Sequence, residues 1–563
     1  MNRLKPSTEH AERIVIIGWD GATWDLLSPW VRSGGLPNLA RLMERGVHAK
    51  LRSTPLPLSP AAWTSILTGV NPARHGIFDW FERRAGSYEV EYVHTGRIAA
   101  KTLWQYFNEH GKRVGVMAVP MLYPAVPLDG FMICGMAAPH AHVPHFTYPE
   151  SLIHELEARF GPYQVVESEV FRRGGEKAYL QSLLDWLSYQ RRLVPYLIES
   201  QPCEVYLLVF MQSDHVQHKF WRYLESDVRY DPLREAPWRN SIYQVYQSLD
   251  ETLGEVMERF GESAHFVLLS DHGAGASYGV MSINRWLRQE GYLHLRSSPL
   301  TWAKHWMARH EVMPRLVRGL ARVGLGKAVR LTSKPMRNRL MSSLLSWDDV
   351  DWRRTRAYAR GAFGQIYINL KGREPMGIVE PGVTYERLVA EIMAKLGALR
   401  HPANGEALMT EIHRREEVMH GAHLERAADI LFSIQHYSYQ TSVKFEGGGD
   451  QLLAPSEYED SGGHRPYGIF VMAGPQIRSG VYLGEAEVVD VLPTLLALAN
   501  LPVPSDLDGR PLSEAMNPSK KPRRRTAASS GRGEANRTAA LLNLDPADEA
   551  QLEERLRQLG YLG

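Results

Sequence analysis

Three acidic residues in this sequence stand at the ends of apolar runs, and two of them have histidines close by. Asp214 and His218 are four residues apart in S-D-H-V-Q-H, Asp271 and His272 are adjacent in S-D-H-G, and Asp20 lies in G-W-D-G. The side chains of an i, i+4 pair on a helix point the same way and can bind one metal ion. A lone aspartate after a strand is usually the cap of the next helix, but three such acids are hard to explain as caps. Carboxylates with neutral imidazoles suit Zn²⁺ or Mn²⁺.

Ser59 is the candidate nucleophile. It lies in P-L-P-L-S-P, just before a helix predicted over residues 61–68. The backbone N–H groups near a helix N-terminus favour an anion such as phosphate. A serine hydroxyl is a poor nucleophile at its ordinary pKa, and coordination to a divalent metal would activate it. Taken alone, Ser59 is better explained as a helix N-cap.

The elements that must position these residues form an α/β pattern. Three apolar, β-branched runs end in the three acids, at residues 13–20, 205–214 and 265–271. Runs without polar alternation are typical of parallel strands covered on both faces by helices. Helical patterns lie between them, at residues 179–200 and 241–260. Ligands of such sheets bind at the carboxyl ends of the strands, so we expect Asp20, Asp214 and Asp271 to converge at one edge.

The composition excludes several classes of protein. The chain has 563 residues, 44% of them hydrophobic and 23% charged, and a formal net charge of +2, which gives no electrostatic case for nucleic-acid binding. Its two cysteines, Cys134 and Cys203, allow neither a disulfide framework nor a cysteine-rich zinc module. The polar start lacks the apolar run of a secretory signal, and no apolar stretch has the length of a membrane span. We expect a soluble, cytoplasmic protein.

Changes in composition divide the chain into six segments. These are a polar N-terminal tail at 1–12, the first part of a catalytic α/β core at 13–295, a basic helical insertion at 296–345, the rest of the core with a cap region at 346–515, a flexible basic linker at 516–540, and a C-terminal amphipathic helix at 541–563.

Two of these segments leave alternatives open. The insertion holds eleven Lys and Arg residues and a single acid, Glu311. A solvated helical excursion explains it most simply, while a lid for an anionic substrate and a peripheral membrane contact remain open. The C-terminal helix has Asp545 as N-cap, Pro546 at its first position and Gly560 as terminator. We expect it to dock on the body of the protein or on a second subunit of a homodimer.

Several motifs in order resemble the type I phosphodiesterase and nucleotide pyrophosphatase branch of the alkaline phosphatase superfamily. The resemblance covers most of residues 13–512 and rests on G-W-D-G-A-T-W-D, T-G-V-N-P-A-R-H-G-I, S-D-H-V-Q-H, S-D-H-G, G-G-H-R-P-Y-G-I-F and V-V-D-V-L-P-T-L-L-A-L. It implies an alkaline phosphatase-like core, in which a mostly parallel sheet is sandwiched by helices, with a helical insertion and a smaller α/β cap. It also implies two divalent metal ions, usually zinc, with Mn²⁺ as the alternative.

The resemblance also implies a role for each site residue. One metal would be held by Asp20, Asp271, His272 and Ser59, and the other by Asp214, His218 and His464. Ser59 would attack phosphorus to form a phosphoseryl enzyme that water then hydrolyses. His464 taken alone reads as a surface-loop histidine, and only its place in the family pattern marks it as a ligand. His75 and His215 match no ligand role and are interpreted as structural.

The function implied is a two-metal phosphoesterase that hydrolyses a phosphodiester or pyrophosphate bond of a small phosphorylated substrate, such as a nucleotide. Phosphomonoesterase, phosphonate hydrolase and phosphomutase chemistry use the same metal set and remain open, because residues of the binding pocket choose the leaving group. A non-catalytic binding protein is a further alternative. A membrane-surface transferase of anionic head groups, using residues 296–345 as its contact, is another.

Overall fold

A computed structural model describes most of the chain. The described residues are 13–84, 86–309, 345–445, 451–456, 459–518, 526–527 and 546–558. The predicted tail at 1–12, most of the predicted insertion and most of the predicted linker lie outside these residues, as do Asp545 and Gly560.

Twenty-two strands and sixteen α-helices lie within the described ranges. The strands are β1 (Ile14–Trp19), β2 (Gly46–Arg52), β3 (Phe81–Arg83), β4 (Val90–Tyr92), β5 (Val114–Met117), β6 (Gly130–Ile133), β7 (Thr147–Tyr148), β8 (Val205–Phe210), β9 (His265–Leu269), β10 (Gly273–Ala276), β11 (Gly279–Ser282), β12 (Ala357–Ala359), β13 (Gly364–Ile368), β14 (Met409–Arg414), β15 (Ile430–Ile434), β16 (Tyr439–Ser442), β17 (Leu453–Ala454), β18 (Gly462–Arg465), β19 (Tyr467–Ala473), β20 (Val481–Glu487), β21 (Val503–Pro504) and β22 (Thr526–Ala527). The helices are α1 (Trp24–Arg32), α2 (Pro37–Glu44), α3 (Ser59–Thr68), α4 (Pro72–His75), α5 (Leu103–Asn108), α6 (Leu152–Phe160), α7 (Glu176–Ser200), α8 (Gln212–Phe220), α9 (Pro232–Glu235), α10 (Ser241–Phe260), α11 (Ile283–Gln289), α12 (Pro299–Arg309), α13 (Val383–Ala398), α14 (Arg415–Val418), α15 (Val491–Leu498) and α16 (Pro546–Gln558).

The main sheet has nine strands in the order β20-β2-β19-β9-β1-β8-β5-β6-β7. Strands β9, β1, β8, β5 and β6 are parallel, and every residue of β1, β8 and β9 is buried. The predicted α/β class with a mostly parallel sheet between helices is therefore confirmed. Strand β19 lies antiparallel to both β9 and β2, a feature that the apolar runs did not predict.

One expectation about the strands is wrong. The run at 205–214 does not remain a strand up to its acid, because β8 ends at Phe210 and Asp214 lies in the first turn of α8. The N–H groups of Asp214 and His215 both donate to the carbonyl of Met211, which turns the chain into the helix. All nine residues of α8 are buried, so this helix lies inside the protein, where it packs against α7 and α10.

A second sheet has its own hydrophobic core. Its strands follow the order β12-β13-β15-β16-β11-β17, with β14 paired to β15. Side chains such as Trp286, Tyr358 and Ile366 fill this core. Of the predicted insertion, α12 is described; it exposes Leu300, Trp302 and Trp306. None of the described helices has the length and apolar character needed to cross a membrane.

The C-terminal helix α16 packs on the main core of the same chain. Leu552 and Leu556 are almost fully buried there. The Arg555 guanidinium donates to the carbonyl oxygens of Met136 (3.1 Å), Ala138 (2.6 Å) and Pro139 (2.5 Å). Docking on the body, one of the two expected placements of this helix, is thus observed. Within the predicted linker, β22 pairs in parallel with β21.

Candidate active site

Asp20 and Asp271 meet because they follow neighbouring parallel strands. Asp20 comes directly after β1, and Asp271 lies two residues beyond the end of β9. The two side chains are fully buried, and the Gly21 N–H donates to Asp271 Oδ1 at 3.3 Å. The expected convergence of strand-end carboxylates is therefore observed for this pair.

Asp214 reaches the same edge from helix α8. It and His218 are one turn apart and point the same way, with His218 Nε2 3.4 Å from Asp214 Oδ1. Gly21 makes room for this carboxylate: its φ is +65°, and a Cβ there would lie 2.8 Å from Asp214 Oδ1. The second glycine of G-W-D-G is thus required both by the backbone conformation and by the closeness of Asp214.

Ser59 and His272 are in hydrogen-bond contact, with Ser59 Oγ 3.1 Å from His272 Nε2. The same nitrogen lies 3.6 Å from Asp20 Oδ1 and 3.4 Å from Asp271 Oδ2. Ser59 is the first residue of α3 and makes no capping hydrogen bond; the N-cap position belongs to Leu58. The simpler interpretation of Ser59 as an N-cap is therefore wrong, and the helix begins two residues before the predicted start.

His464 is buried in strand β18, and not in a surface loop. Strand β18 pairs antiparallel with β10, with His464 opposite Ala274, two residues beyond His272. The backbone around Gly462 packs closely on α8, since a Cβ at Gly462 would lie 2.2 Å from the carbonyl oxygen of Gln217. His464 Nε2 lies 3.0 Å from His218 Nε2 and 3.7 Å from Asp214 Oδ1. All seven predicted site residues therefore lie in one group, which we call the site cluster: Asp20, Ser59, Asp214, His218, Asp271, His272 and His464.

Backbone carbonyls fix the orientation of two of the imidazoles. His464 Nδ1 lies 2.6 Å from the Pro57 carbonyl oxygen, and His272 Nδ1 lies 2.9 Å from that of Gly273. A carbonyl oxygen only accepts, so both Nδ1 atoms carry the proton and both Nε2 atoms present a lone pair to the cluster. This is the arrangement in which histidines bind metals.

Trp63 belongs to the site but was not among the predicted residues. Its Nε1–H donates to Asp20 Oδ2 at 2.7 Å. Trp63 follows Ser59 by four residues in α3, so one face of the helix carries both the candidate nucleophile and the anchor of Asp20. The i, i+4 spacing of S-P-A-A-W is the sequence signal that could have indicated it.

The electrostatics of the cluster reflect buried carboxylates placed side by side. Burial and the neighbouring Asp271 and Asp214 raise the pKa of Asp20 well above its ordinary value, although the Trp63 hydrogen bond opposes this. Burial also raises the pKa of Asp271, with His272 acting in the opposite direction. For Asp214, burial would raise the pKa, but the neighbouring histidines, His218 above all, outweigh it and hold the pKa well below its usual range.

The donor set fits divalent cations. Asp214, His218 and His464 offer ligand atoms that all lie within 4.8 Å of one another, and so do Asp20, Asp214 and His272. Asp214 therefore stands between the two groups. Asp20 Oδ1 and Asp271 Oδ2 are buried without a hydrogen-bond partner among the described residues. Two such carboxylate oxygens beside inward-facing imidazole lone pairs favour a bound cation of the Zn²⁺ or Mn²⁺ kind.

Two further histidines of the motifs have structural contacts. His75 Nδ1 accepts the Ile77 N–H at 3.1 Å, so its Nε2–H donates to Ser65 Oγ at 3.0 Å. His215 Nδ1 lies 2.8 Å from Glu167 Oε2. These contacts agree with the structural interpretation of both residues.

The chain was compared with solved structures, curated proteins and protein-family models. Two solved structures of murine ectonucleotide pyrophosphatase/phosphodiesterase 5 resemble the chain, each with 14% sequence identity and with coverage of 90% of this chain and 100% of the other. One is reported with a TM-score of 0.48, and the other, an inactive form in complex with AMP, with 0.49. No curated protein matches the sequence. The family model "Type I phosphodiesterase / nucleotide pyrophosphatase" matches residues 14–466, and this chain, as its motifs predicted, belongs to that family of hydrolytic enzymes.

Proposed function

We propose that this protein is a two-metal phosphodiesterase that cleaves its substrate through a phosphoserine on Ser59. One observation carries the proposal: Ser59 Oγ lies 3.1 Å from His272 Nε2, beside buried carboxylate oxygens that have no hydrogen-bond partner among the described residues. Membership of the family supports hydrolysis of a phosphodiester or pyrophosphate bond.

Ser59 would attack phosphorus from its place at the start of α3. The helix N-terminus favours the negative phosphoryl group next to the hydroxyl. In the first step, Ser59 Oγ forms a bond to phosphorus, the bond to the leaving oxygen breaks, and the serine proton passes through water to the leaving oxygen. In the second step, a water oxygen bonds to phosphorus, the Oγ–P bond breaks, and a proton of that water returns to Oγ, which restores Ser59 and releases a phosphomonoester.

The remaining residues of the site cluster would hold two divalent ions. Asp20, Asp271 and His272 would bind one, together with Ser59, and Asp214, His218 and His464 would bind the other. When bound, such ions supply positive charge to the phosphoryl oxygens and lower the pKa of a coordinated hydroxyl or water. Trp63 orients Asp20, and the carbonyls of Pro57 and Gly273 orient His464 and His272. The burial of the whole cluster excludes bulk water, which strengthens these charge interactions.

The test is hydrolysis of bis(p-nitrophenyl) phosphate beside p-nitrophenyl phosphate. Chelated protein is resupplied with Zn²⁺ or Mn²⁺, and Ser59→Ala serves as the control. We expect faster, metal-dependent cleavage of the diester, which the variant loses. Preference for the monoester would replace the proposal with a phosphatase or mutase that uses the same site, and full activity in Ser59→Ala would exclude the phosphoserine.

A further inference from the structure

Arg360 is a buried cation without a counter-ion among the described residues. It lies in the segment that connects β12 to β13 and is only 8% exposed. Its one hydrogen bond to a described residue runs from Nη2 to the Tyr88 carbonyl oxygen, and its Nε is buried without a partner. No described carboxylate lies within ion-pair distance of it. Burial lowers the pKa of Arg360 to about 10, so the guanidinium is still charged at neutral pH.

Two other arginines, both less deeply buried than Arg360, show how unusual this is. Arg465 donates to the carbonyls of Tyr437, His464 and Ala276 and to the Ser438 hydroxyl. Arg555 donates to three carbonyls. These two guanidinium groups are satisfied by several acceptors, whereas the more deeply buried Arg360 keeps donor positions unused among the described residues. A buried, under-satisfied guanidinium is an arrangement that a bound anion would complete.

Arg360 lines a cavity of about 740 Å³ with aromatic walls. The Arg360 guanidinium lies 4.1 Å from the ring centre of Trp347. Tyr88 and Trp352 stack with ring centres 3.5 Å apart. This volume suits a substrate fragment of drug-like size, and the rings offer flat contact surfaces to its apolar part.

Five other charged residues line the cavity: Glu89, Arg296, Asp348, Glu549 and Glu553. Four of them are exposed, Glu553 is half-buried, and Glu89 is paired with Arg84. Exposed charges interact weakly through water, so the four exposed residues offset the buried charge of Arg360 only in part.

The cavity is close to the site cluster. Gly361, the next residue, also lines the cavity, and Phe363 packs on His464 with ring centres 5.5 Å apart. Three residues of chain span at most about 11 Å between Cα atoms, so Phe363 connects the segment that lines the cavity to the site cluster.

The guanidinium of Arg360 is buried in an aromatic-walled cavity beside the site cluster. From this we infer that the enzyme prefers substrates that carry a second anionic group, which is a carboxylate or a phosphate. An apolar or aromatic spacer would separate this group from the scissile phosphodiester. The preference in hydrolysis rests on the proposed function. The binding of an anion at Arg360 does not depend on that function.

The kinetic test compares p-nitrophenyl alkyl phosphates that differ only in a terminal carboxylate. Alkyl chains of three, five and seven carbons are used, each with its uncharged counterpart. At one chain length, we expect kcat/KM for the carboxylate to exceed that for its uncharged counterpart by about tenfold or more. In Arg360→Gln, the two substrates of that pair should have about equal kcat/KM values. Arg360→Lys should keep part of the preference, and Arg353→Gln, which removes an exposed arginine outside the cavity, should keep all of it. Equal rates for every pair in the wild-type protein would overturn the inference.

A binding measurement separates this inference from the proposed function. Calorimetry with 4-phenylbutyrate and 4-phenylbutanol needs no turnover, and circular dichroism checks that each variant is folded. We expect the carboxylate to bind the wild-type protein about tenfold or more tightly than the alcohol, and Arg360→Gln to remove the difference. If the carboxylate binds more tightly but the protein hydrolyses no diester, the proposed function is refuted and the anion site is supported. Equal affinity for the acid and the alcohol would refute the anion site.

Discussion

The rings of His272 and His464 stack with their centres 3.7 Å apart and their planes 18° apart. Each is held from behind by a backbone carbonyl, so the two Nε2 lone pairs enter the site cluster side by side. Burial, together with the neighbouring His272, keeps the pKa of His464 well below its ordinary value. The neutral form needed for metal binding is therefore the favoured one.

Asp214→Asn should lose the metal ion assigned to Asp214, His218 and His464 and reduce turnover by at least about a hundredfold, because the change removes the charged ligand of that group. Elemental analysis of the purified protein and hydrolysis of bis(p-nitrophenyl) phosphate measure the two effects. Ser59→Ala is the matched variant, expected to keep the ion assigned to Asp214, His218 and His464 while losing turnover. Unchanged metal content in Asp214→Asn would show that the ligands were wrongly assigned.

Trp63→Phe should weaken metal binding by about ten- to a hundredfold while the protein stays folded. The change removes the N–H that orients Asp20 but keeps an aromatic side chain in the core. Competition with a metal chelator gives the affinity, and circular dichroism checks the fold. Trp104→Phe removes another buried tryptophan outside the site cluster and serves as the control. Equal metal affinities in the two variants would contradict the positioning role of Trp63.

His75 should make the protein sensitive to mild acid. Burial, followed by the neighbouring His423, lowers its pKa to about 3, against an ordinary value of 6.5. The stabilisation is complete above pH 6.5 and is lost as the pH falls towards 3, because His75 takes up a proton in the unfolded state while the native state keeps Nδ1 neutral as the acceptor of the Ile77 N–H. Relative to His75→Asn, the wild-type free energy of unfolding should fall by about 4 kcal/mol over this range. Denaturant titrations at several pH values measure it, and parallel curves for the two proteins would contradict the prediction.

Asp79 should make the protein less stable as the pH rises, which is the opposite of the pH dependence expected for His75. Burial raises its pKa to about 6 from 3.8, despite hydrogen bonds from the Trp80 N–H and Gln365 Nε2. Its contribution to stability is present below pH 3.8 and is lost as the pH rises through 6. Between pH 4 and 7, Asp79→Asn should gain about 2 kcal/mol of unfolding free energy relative to the wild-type protein. The same titrations test this, and a constant difference between the two proteins would show that Asp79 does not titrate in this range.

Removal of residues 546–563 should lower the melting temperature but leave diester hydrolysis within about threefold of the full chain. The loss of Leu552 and Leu556 uncovers part of the main core, while no residue of α16 belongs to the site cluster. Scanning fluorimetry and turnover measure the two effects, and size-exclusion chromatography reports whether the uncovered surface associates. A folded truncation without turnover would show that α16 also supports the site.

The sequence predicted which residues lie together in the site cluster better than the elements that carry them. Asp20 and Asp271 could be predicted because each follows an apolar run. Asp214 and His218 could be predicted because of their i, i+4 spacing. His464 had no such local signal, since its position depends on the pairing of β18 with β10 across the chain. Only the family pattern identified it.

Residues that act through other residues were the least predictable. Trp63 resembles an ordinary core tryptophan until the structure brings its N–H to Asp20. Arg360 likewise lies in an unremarkable R-G-A-F segment, and its lack of a counter-ion among the described residues is a property of three-dimensional packing. Contacts between distant segments fix both roles, so patterns of apolar residues cannot show them.

The position of β19 in the main sheet has a consequence for the order of synthesis. This strand fills the gap between β2 and β9, yet it is made long after both of them. Until it leaves the ribosome, the facing edges of β2 and β9 present unpaired backbone groups that can join other chains. His464 precedes this strand by only a few residues, so the sheet and the site cluster are completed at the same moment. Nascent chains that stop before residue 460 should therefore depend on chaperones and have no activity.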